Sequence, residues 1–410
     1  MFILLFESNR LNILLINNIF EIDSIRFILI SLSIWIIIIS LLSSYYIKEK
    51  NFNKNLFIYI NIILLIFLVF TFLFSNFIFF YFIFECRILP VFLMIIGWGR
   101  QVERNQAGVY IFFYTFLGSL PLLVIILWNF NNLGRFYFFF DYNLIINNFY
   151  YLFILIAFLI KFPIYSVHYW LLKAHVEAPV SGSIILAGVL LKLGGYGLIR
   201  FLILFENINF LLLEIILRLR ILGGFYVRVN CLSHIDIKLL VASSSVVHMR
   251  MCISGIFLIK TLSFSGLIIL MVGHGLCSSG LFYLVNLIYM RSGRRRMFLN
   301  KGILNIIPVL SLCIFLILII NISAPPCISL IGEIILILRL LNYDFFFFFI
   351  IFFISFFRAG YRIYIYSLSQ HGFFLKKINI IRNIYMLEFF TIFLHLIPLN
   401  VLVLLRAILY

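Results

Sequence analysis

The sequence predicts an all-α protein, a bundle of helices that crosses a membrane many times. Of its 410 residues, 65% are hydrophobic and only 11% are charged, whereas about 25% of a soluble domain is charged. Apolar runs of about 20 residues, the length of a transmembrane helix, recur from one end of the chain to the other. Strands of a membrane barrel would be about half as long and would alternate in polarity. The composition therefore excludes a soluble enzyme and favours helices that face lipid.

The apolar runs divide the chain into about 12 to 13 spans, depending on whether residues 303–343 form one broken helix or two. We expect residues 1–24 to form a short N-terminal segment, at most a reduced span, because Glu7 and Arg10 interrupt it. The other spans are expected at 25–47, 56–74, 76–97, 108–128, 149–172, 180–205, 207–227, 236–257, 262–290, 303–322, 325–343, 344–367 and 386–409. No polar link between them is long enough for a second domain, so residues 25–410 are expected to form one transmembrane domain.

The cysteines and the first residues show no cofactor or targeting motif. The six cysteines form no C-x-x-C pair and no cluster with histidine. We therefore expect isolated small residues in helices and no disulfide, iron–sulfur or haem site. The start of the chain has neither a basic, Ser-rich transit peptide nor a short cleavable signal. We expect the chain to be inserted with its first spans retained.

Two places interrupt the helical pattern. One runs from Lys161-Phe162-Pro163 to Pro179, and the other is Ser323-Ala324-Pro325-Pro326. Proline removes a backbone donor and ends or kinks a helix, and carbonyls that are freed in lipid must be buried in protein or line a wet cavity. Each break is either a simple loop or a broken helix of a transport site. Because ionisable residues lie beside both breaks, we favour a transport site.

Several ionisable residues lie inside apolar runs, where a charge costs about 2.5–3.5 kcal/mol. They are Glu85, Lys161, Lys192, Lys238 and Glu333. The histidines in or near the same spans are His168, His175, His248 and His274. A buried ion pair that fixes helix packing is one explanation, but such pairs stabilise poorly once desolvation is counted. We favour a proton relay, because moving a partner charge switches a Glu–Lys pair between proton-holding and proton-releasing states and histidine titrates near neutral pH.

A long motif beside the first break resembles a known family. It runs from Lys173-Ala174-His175-Val176-Glu177-Ala178-Pro179 to Leu190-Leu191-Lys192-Leu193-Gly194-Gly195-Tyr196-Gly197. The supporting motifs are Gly118-Ser119-Leu120-Pro121, Asp236-Ile237-Lys238, Ser244-Ser245-Val246-Val247-His248-Met249, His274-Gly275-Leu276, and Pro325-Pro326 with Gly332-Glu333. Over residues 56–400 the sequence is similar to the chain 4 family of the respiratory NADH:ubiquinone oxidoreductases, known as complex I.

The resemblance implies an antiporter-like fold with inverted repeats and two discontinuous helices. It implies that Lys192 is the central proton carrier, that Lys161 is its switchable neighbour controlled by Glu85, and that Glu333 is the terminal carrier. The remaining histidines of the family's polar axis would be His168, His175, His248 and His274. The chain itself would bind no flavin, nicotinamide or iron–sulfur cluster and no nucleic acid.

The resemblance also implies the cellular setting. The chain would be a core membrane subunit of an enzyme that couples electron transfer from NADH to ubiquinone with proton translocation. It would lie in the mitochondrial inner membrane beside other membrane-arm subunits, and NADH, FMN, iron–sulfur clusters and ubiquinone would bind elsewhere in the complex. The alternatives are a stand-alone cation/proton antiporter of the same fold, a structural subunit that only spaces its neighbours, and a generic polytopic transporter. The motif at 173–197 argues against the last of these.

The sequence departs from the family pattern in three ways. The N-terminus is short, so we expect the first one or two family helices to be missing or reduced. Leu172 stands where the family usually has proline. Arginine stands where related chains have serine or another small residue at Arg87, Arg218, Arg220, Arg228, Arg250, Arg294, Arg339, Arg358 and Arg362. The 14 acidic residues cannot pair with all 31 basic ones, so these arginines would be costly at membrane depth.

We hypothesise that these arginines correspond to AGA or AGG codons, which invertebrate mitochondria translate as serine. The low methionine count of 8 would follow if AUA codons had been translated with the same wrong table. The net charge of +17 would then not indicate binding to nucleic acid or anionic lipid. Genuine arginines that extend their charged ends to the membrane surface are the alternative.

Overall fold

The structure, a computed structural model, describes residues 14–16, 20–49, 53–99, 101–133, 148–165, 167–202, 210–373 and 384–409. Within these residues, nine helices are long and apolar enough to cross a membrane. A further pair, Met297–Ile306 and Pro308–Ile322, passes the same test jointly and is bent by 119°. The predicted bundle of transmembrane helices is therefore confirmed.

Two short strands precede the helices. β1 (Leu14–Ile16) pairs antiparallel with β2 (Phe20–Ile22). The helices of the first half are α1 (Ser24–Ser43), α2 (Tyr45–Glu49), α3 (Lys54–Leu73), α4 (Phe77–Cys86), α5 (Ile88–Trp98), α6 (Arg104–Leu133), α7 (Asn148–Lys161), α8 (Tyr169–Glu177), α9 (Val180–Ile185) and α10 (Leu191–Leu202). Those of the second half are α11 (Phe210–Ser233), α12 (Ile237–Phe257), α13 (Thr261–Ser292), α14 (Ile303–Ile306), α15 (Pro308–Ile322), α16 (Ile328–Tyr343), α17 (Phe347–Gln370) and α18 (Met386–Leu409).

The chain divides into two compact units. The first comprises residues 1–216 with 406–410, and the second comprises residues 217–405. Each unit contains one of the two predicted helix interruptions. The expectation of one transmembrane domain over residues 25–410 stays a prediction. The expectation of at most a reduced span at 1–24 also stays a prediction. The structure describes two strands there, at 14–16 and 20–22, while residues 1–13 and 17–19 lie outside the described part of the chain.

The buried share differs strongly between the candidate spans. In α17 only 33% of the most apolar stretch is buried, and Phe348, Phe349 and Phe352 are among its exposed side chains. In α12, which carries His248, 94% of that stretch is buried, and the same share is buried in Val180–Leu202, which carries Lys192. The spans that carry His248 and Lys192 are therefore surrounded by protein, as charged groups at membrane depth require.

The first predicted interruption lies between α7 and α8. α7 ends at Lys161, and helical structure resumes at Tyr169. Trp170 donates its indole N–H to the carbonyl oxygen of Ile160 at 3.1 Å, which satisfies a carbonyl that the break leaves free. Lys161 thus occupies the last position of a helix whose end is held by protein contacts.

The second predicted interruption lies between α15 and α16, so residues 303–343 do not form one continuous helix. Ser323 follows α15 in the left-handed conformation, with φ of 63°, which is common at helix ends. The carbonyl oxygen of Ile320 in the last turn of α15 accepts the backbone N–H of Ser323 at 3.0 Å and the hydroxyl of Ser329 at 3.2 Å. Glu333 lies in the second turn of α16, directly beyond the break.

A π-helical turn, Leu186–Leu190, joins α9 to α10, and nothing in the sequence predicted it. Such turns are rare and are frequent at functional sites. Glycine allows α10 to pack closely on α7. A Cβ atom at Gly194 would lie 2.9 Å from Cβ of Phe162, and one at Gly197 would overlap the ring of Phe158. The helix of Lys192 therefore packs directly against the end of the helix that carries Lys161.

An ionic cluster fixes the start of α1 to α10. Arg26 is fully buried and donates to Glu21 Oε2 at 2.8 Å and to the Tyr196 hydroxyl at 2.9 Å. Arg200 pairs with Asp23. Burial raises the pKa of Glu21, which precedes the first span, although the positive charge of Arg26 acts in the opposite direction.

Candidate functional site

Glu85 and Lys161 form an ion pair in the first unit. Nζ of Lys161 lies 2.5 Å from Oε1 of Glu85, and Lys161 is 3% exposed. The ammonium also lies 3.2 Å from the centre of the Phe84 ring, a cation–π contact that stabilises a charged lysine. The second carboxylate oxygen of Glu85 has no hydrogen-bond partner among the described residues. The structure therefore brings two of the predicted site residues together and leaves one oxygen of Glu85 available to accept a proton.

Lys192 lies at the start of α10 and is fully buried. Its ammonium donates to the carbonyl oxygen of Ala187, which belongs to the π-helical turn. A buried ammonium needs oxygen partners of this kind, because it has lost its hydration. The contact of Gly194 with Phe162 places this helix against the residue that follows Lys161. Both lysines thus lie on neighbouring helices of the first unit.

His168 and His175 belong to the helical segment that follows the first break. His168 immediately precedes α8, and its ring stacks on those of Tyr165 and Tyr169 at centroid distances of 5.8 and 4.7 Å. His175 lies within α8 and is fully buried. The structure therefore places both in the first unit, as it does Lys161 and Lys192.

Glu333 is the centre of a buried polar cluster in the second unit. Ser323 donates its hydroxyl to Glu333 Oε2 at 2.6 Å, and His248 Nδ1 lies 3.5 Å from Glu333 Oε1. The rings of His248 and His274 have centroids 5.4 Å apart. Three of the predicted site residues therefore lie together. Ser323 was not among them, although its position as the last polar residue before the proline pair could have indicated it.

Two arginines complete the cluster around Glu333. Arg358 pairs with Glu333 and donates to the Ser323 hydroxyl at 2.6 Å. Nη2 of Arg362 lies 2.7 Å from Nε2 of His248. Arg358 and Arg362 are 4% and 1% exposed. Both belong to the nine arginines at positions where the family resemblance predicts serine or another small residue.

Most of those nine arginines are buried. The buried ones, each at most 4% exposed, are Arg87, Arg220, Arg228, Arg250, Arg358 and Arg362. A serine within a helix needs no distant hydrogen-bond partner, because its hydroxyl can donate to a backbone carbonyl one turn earlier in the same helix. Ser243, Ser244 and Ser245 of α12 bond in this way at 2.7 to 2.9 Å. Serine would therefore fit buried helical positions at far lower cost than a guanidinium.

We expect the mature protein to contain serine at these buried positions. Tandem mass spectrometry of the purified subunit would then find serine in peptides that cover, for example, residues 358 and 362. Glu333 and His248 would then have no guanidinium group of residue 358 or 362 beside them. Peptides that contain arginine, together with CGN codons in the gene, would show that the arginines are genuine.

The predicted site residues form two groups, one around Lys161 and Lys192 in the first unit and one around Glu333 in the second. Their side chains are carboxylates, ammonium groups and imidazoles, the groups that most often accept and donate protons in proteins. Among the residues that the structure describes, no group of three or more His, Cys, Asp or Glu is placed to hold a metal ion. Lys238 lies only partly buried in the first turn of α12, away from the buried stretch of that helix.

Two family models match the sequence. Residues 74–358 match a family described as "NADH:quinone oxidoreductase/Mrp antiporter, TM". Residues 1–71 match a family described as "NADH-ubiquinone oxidoreductase chain 4, amino terminus". The first match covers both helix interruptions and the predicted site residues from Glu85 to Glu333.

Known relatives and a solved structure agree with these matches. NADH-ubiquinone oxidoreductase chain 4 of Ceratitis capitata is 42% identical over 93% of this chain and 86% of its own length. The protein of the same name from Aedes aegypti is 44% identical over 94% and 86%. A chain of respiratory complex I from Thermus thermophilus with bound NADH has the same fold, with a TM-score of 0.84, 20% identity and coverage of 95% of this chain and 82% of that one. The chain therefore belongs to the NADH-ubiquinone oxidoreductase chain 4 family.

Proposed function

We propose that the buried ionisable side chains of this chain carry protons across the membrane. As a member of the chain 4 family, the chain is a membrane subunit of the NADH:ubiquinone oxidoreductase complex. Its carriers in the first unit are Glu85, Lys161 and Lys192. His168 and His175 assist these carriers in the first unit. The carriers in the second unit are Glu333, His248 and His274. The observation that supports this role most strongly is the ion pair of Glu85 with the buried Lys161, in which Nζ of Lys161 lies 2.5 Å from Oε1 of Glu85.

The pair can act as a switch because each partner influences the proton affinity of the other. Approach of an opposite charge favours the charged form of a buried group, and its removal favours the neutral form. A displacement of Glu85 relative to Lys161 would therefore change the proton affinity of Lys161 and allow its proton to move to the next acceptor. Redox energy released elsewhere in the complex would drive that displacement.

We further propose the mitochondrial inner membrane as the location and other membrane-arm subunits of complex I as the partners. The insect relatives bear the name of an enzyme that acts on NADH and ubiquinone. The redox cofactors of the complex would be bound by other subunits.

Glu333→Gln tests the proton-carrying role in the second unit. Glutamine keeps the size of the side chain and can accept the hydrogen bond from Ser323, but it cannot take up a proton. We expect the rate of proton translocation during NADH oxidation by the complex in vesicles to fall by about 10²-fold, the contribution of a typical proton-transfer group. The matched control is Glu103→Gln, which neutralises an exposed carboxylate just before α6 and should translocate as the wild type does.

Wild-type translocation by an assembled Glu333→Gln complex would contradict this role and favour the structural-spacer alternative. If the chain were instead a stand-alone antiporter, a different result would be expected. The isolated chain in vesicles would then exchange a monovalent cation for protons without any other subunit, and we expect no such exchange.

A further inference from the structure

A second buried polar cluster lies in the second unit, between α13 and α18, and none of the proposed carriers belongs to it. Arg291 in the last turn of α13 pairs with Glu388 in the first turn of α18. Glu388 is 3% exposed, and its Oε2 also accepts the backbone N–H of Tyr385 at 3.1 Å. Both charged residues lie at ends of candidate spans. This ion pair therefore marks the membrane surface.

His395 lies deeper in the same cluster and is fully buried. Its Nδ1 lies 2.8 Å from the carbonyl oxygen of Thr391. A carbonyl oxygen only accepts hydrogen bonds, so Nδ1 carries the proton and Nε2 presents a lone pair. Nε2 has no hydrogen-bond partner among the residues that the structure describes. Such a buried nitrogen costs free energy when its only role is packing, whereas a proton acceptor requires it.

Three polar side chains lead along α18 from the membrane surface to His395. Glu388, Thr391 and His395 are spaced by three and four residues, which places them on one face of the helix. At a rise of 1.5 Å per residue, His395 lies about 10 Å deeper than Glu388. The Thr391 hydroxyl between them donates to the carbonyl oxygen of Glu388 at 2.8 Å. The face is therefore polar over the whole distance from the helix end to His395.

The ring of His395 packs on the helix that also carries His274. A Cβ atom at Gly280 of α13 would lie 3.3 Å from Cβ of His395 and 3.4 Å from its Cδ2. The ring of Tyr283 stacks on that of His395, with centroids 6.2 Å apart. His274 lies six residues before Gly280, about 9 Å along the helix axis. His395 therefore lies between the surface ion pair at Arg291 and the level of His274 on α13.

We propose that Glu388 and His395 form the proton path between the cluster of Glu333, His248 and His274 and the membrane surface at which Arg291 lies. This inference rests on the proposed function, because it extends the same proton route. Nε2 of His395 accepts a proton and later releases it, while Nδ1 keeps its own proton and donates it in a hydrogen bond to the Thr391 carbonyl oxygen. The imidazole is thus unchanged after each transfer. Glu388 exchanges protons with solvent at the end of the path.

His395→Gln in the assembled complex is the first test. Glutamine can donate its amide N–H to the Thr391 carbonyl and fill the space, but it cannot carry a proton. We expect proton translocation to fall by about 10²-fold. In His395→Ala, added imidazole should restore a large part of the translocation, which a residue with a packing role alone would not allow. The control is His371→Gln, which replaces an exposed histidine after α17.

The outcomes separate this inference from the proposed function. Wild-type translocation by His395→Gln, measured beside a Lys192→Met complex that has lost it, would overturn the inference and leave the proposed function intact. Wild-type translocation by both variants would overturn both. If His395→Gln does not assemble, Glu388→Gln decides, since it keeps a hydrogen bond to Arg291 and loses only the titrating group. A Glu388→Gln complex that translocates normally would overturn the proposed path.

Discussion

Replacing Lys192 by methionine is expected to abolish proton translocation while the complex still assembles. Lys192 is fully buried, and its ammonium bonds to the Ala187 carbonyl in the π-helical turn. Methionine has a similar length and no charge, so it fills the space without burying an ammonium group. The central proton carrier of the first unit is then missing. We expect translocation, measured with a pH indicator in vesicles during NADH oxidation, to fall by about 10²-fold or more.

Lys192→Ala should give the same loss of translocation and a larger loss of stability, because it leaves a cavity in addition. Lys260→Met is the matched control, since Lys260 is exposed directly before α13 and has no part in the sites. A Lys192→Met complex that assembles and translocates protons at the wild-type rate would exclude Lys192 as a carrier.

Glu85→Gln is expected to reduce translocation by about 10²-fold, the lower end of what a proton-transfer group supplies. Glutamine can still accept a hydrogen bond from Lys161, so we expect the complex to assemble. It cannot hold the negative charge that regulates the lysine. Glu85→Ala should reduce translocation as much and stability more, because losing one partner of a buried ion pair commonly costs about 3–5 kcal/mol. The measurements are the rate of translocation and the thermal stability of the purified complex.

The double variant Glu85→Gln with Lys161→Met distinguishes a switch from a packing pair. Replacing both members of a buried ion pair by hydrophobic residues of similar volume is often neutral or stabilising, by about 1–4 kcal/mol, and the Gln–Met pair likewise leaves no unpaired charge. If the pair only fixes helix packing, the double variant should recover both stability and translocation. We expect stability to recover and translocation to stay low. Glu103→Gln serves again as the control for loss of an exposed carboxylate.

The sequence predicted the two helix interruptions because proline has a fixed local effect. Pro163 follows the end of α7 at Lys161, and Pro325-Pro326 separates α15 from α16. The pairing of Glu85 with Lys161 followed from the family resemblance, since 76 residues separate them and no local pattern relates them. The meeting of Glu333 with His248 and His274 likewise depends on how three helices pack.

The π-helical turn at Leu186–Leu190 could not be predicted from the sequence. Its residues are ordinary apolar helix formers and glycine, whereas the turn packs so closely on α1 that a Cβ atom at Gly188 would lie 2.9 Å from Cγ2 of Ile36. His395 was missed for a related reason. A lone histidine in an apolar run is unremarkable until the structure shows the buried nitrogen and the charged pair two turns away.

The cluster of Arg26 with Glu21 and Tyr196 also could not be predicted from the sequence, because it depends on tertiary packing. Arg26 lies at the start of a span, where a charge is expected to face the membrane surface, and the structure instead buries it fully. Its partner Tyr196 is 170 residues away in the chain. Only the packing of α1 on α10 brings them together, and the sequence of either helix gives no sign of it.

The central claim is that carboxylates buried in this chain change their protonation while the complex works. Infrared difference spectroscopy of the complex, at rest and during NADH oxidation, measures this directly. We expect a carboxylic acid band that appears or disappears on turnover, shifts in heavy water, and is absent from the Glu333→Gln complex. A difference spectrum without such a band, or a band that Glu333→Gln and Glu85→Gln leave unchanged, would contradict the claim.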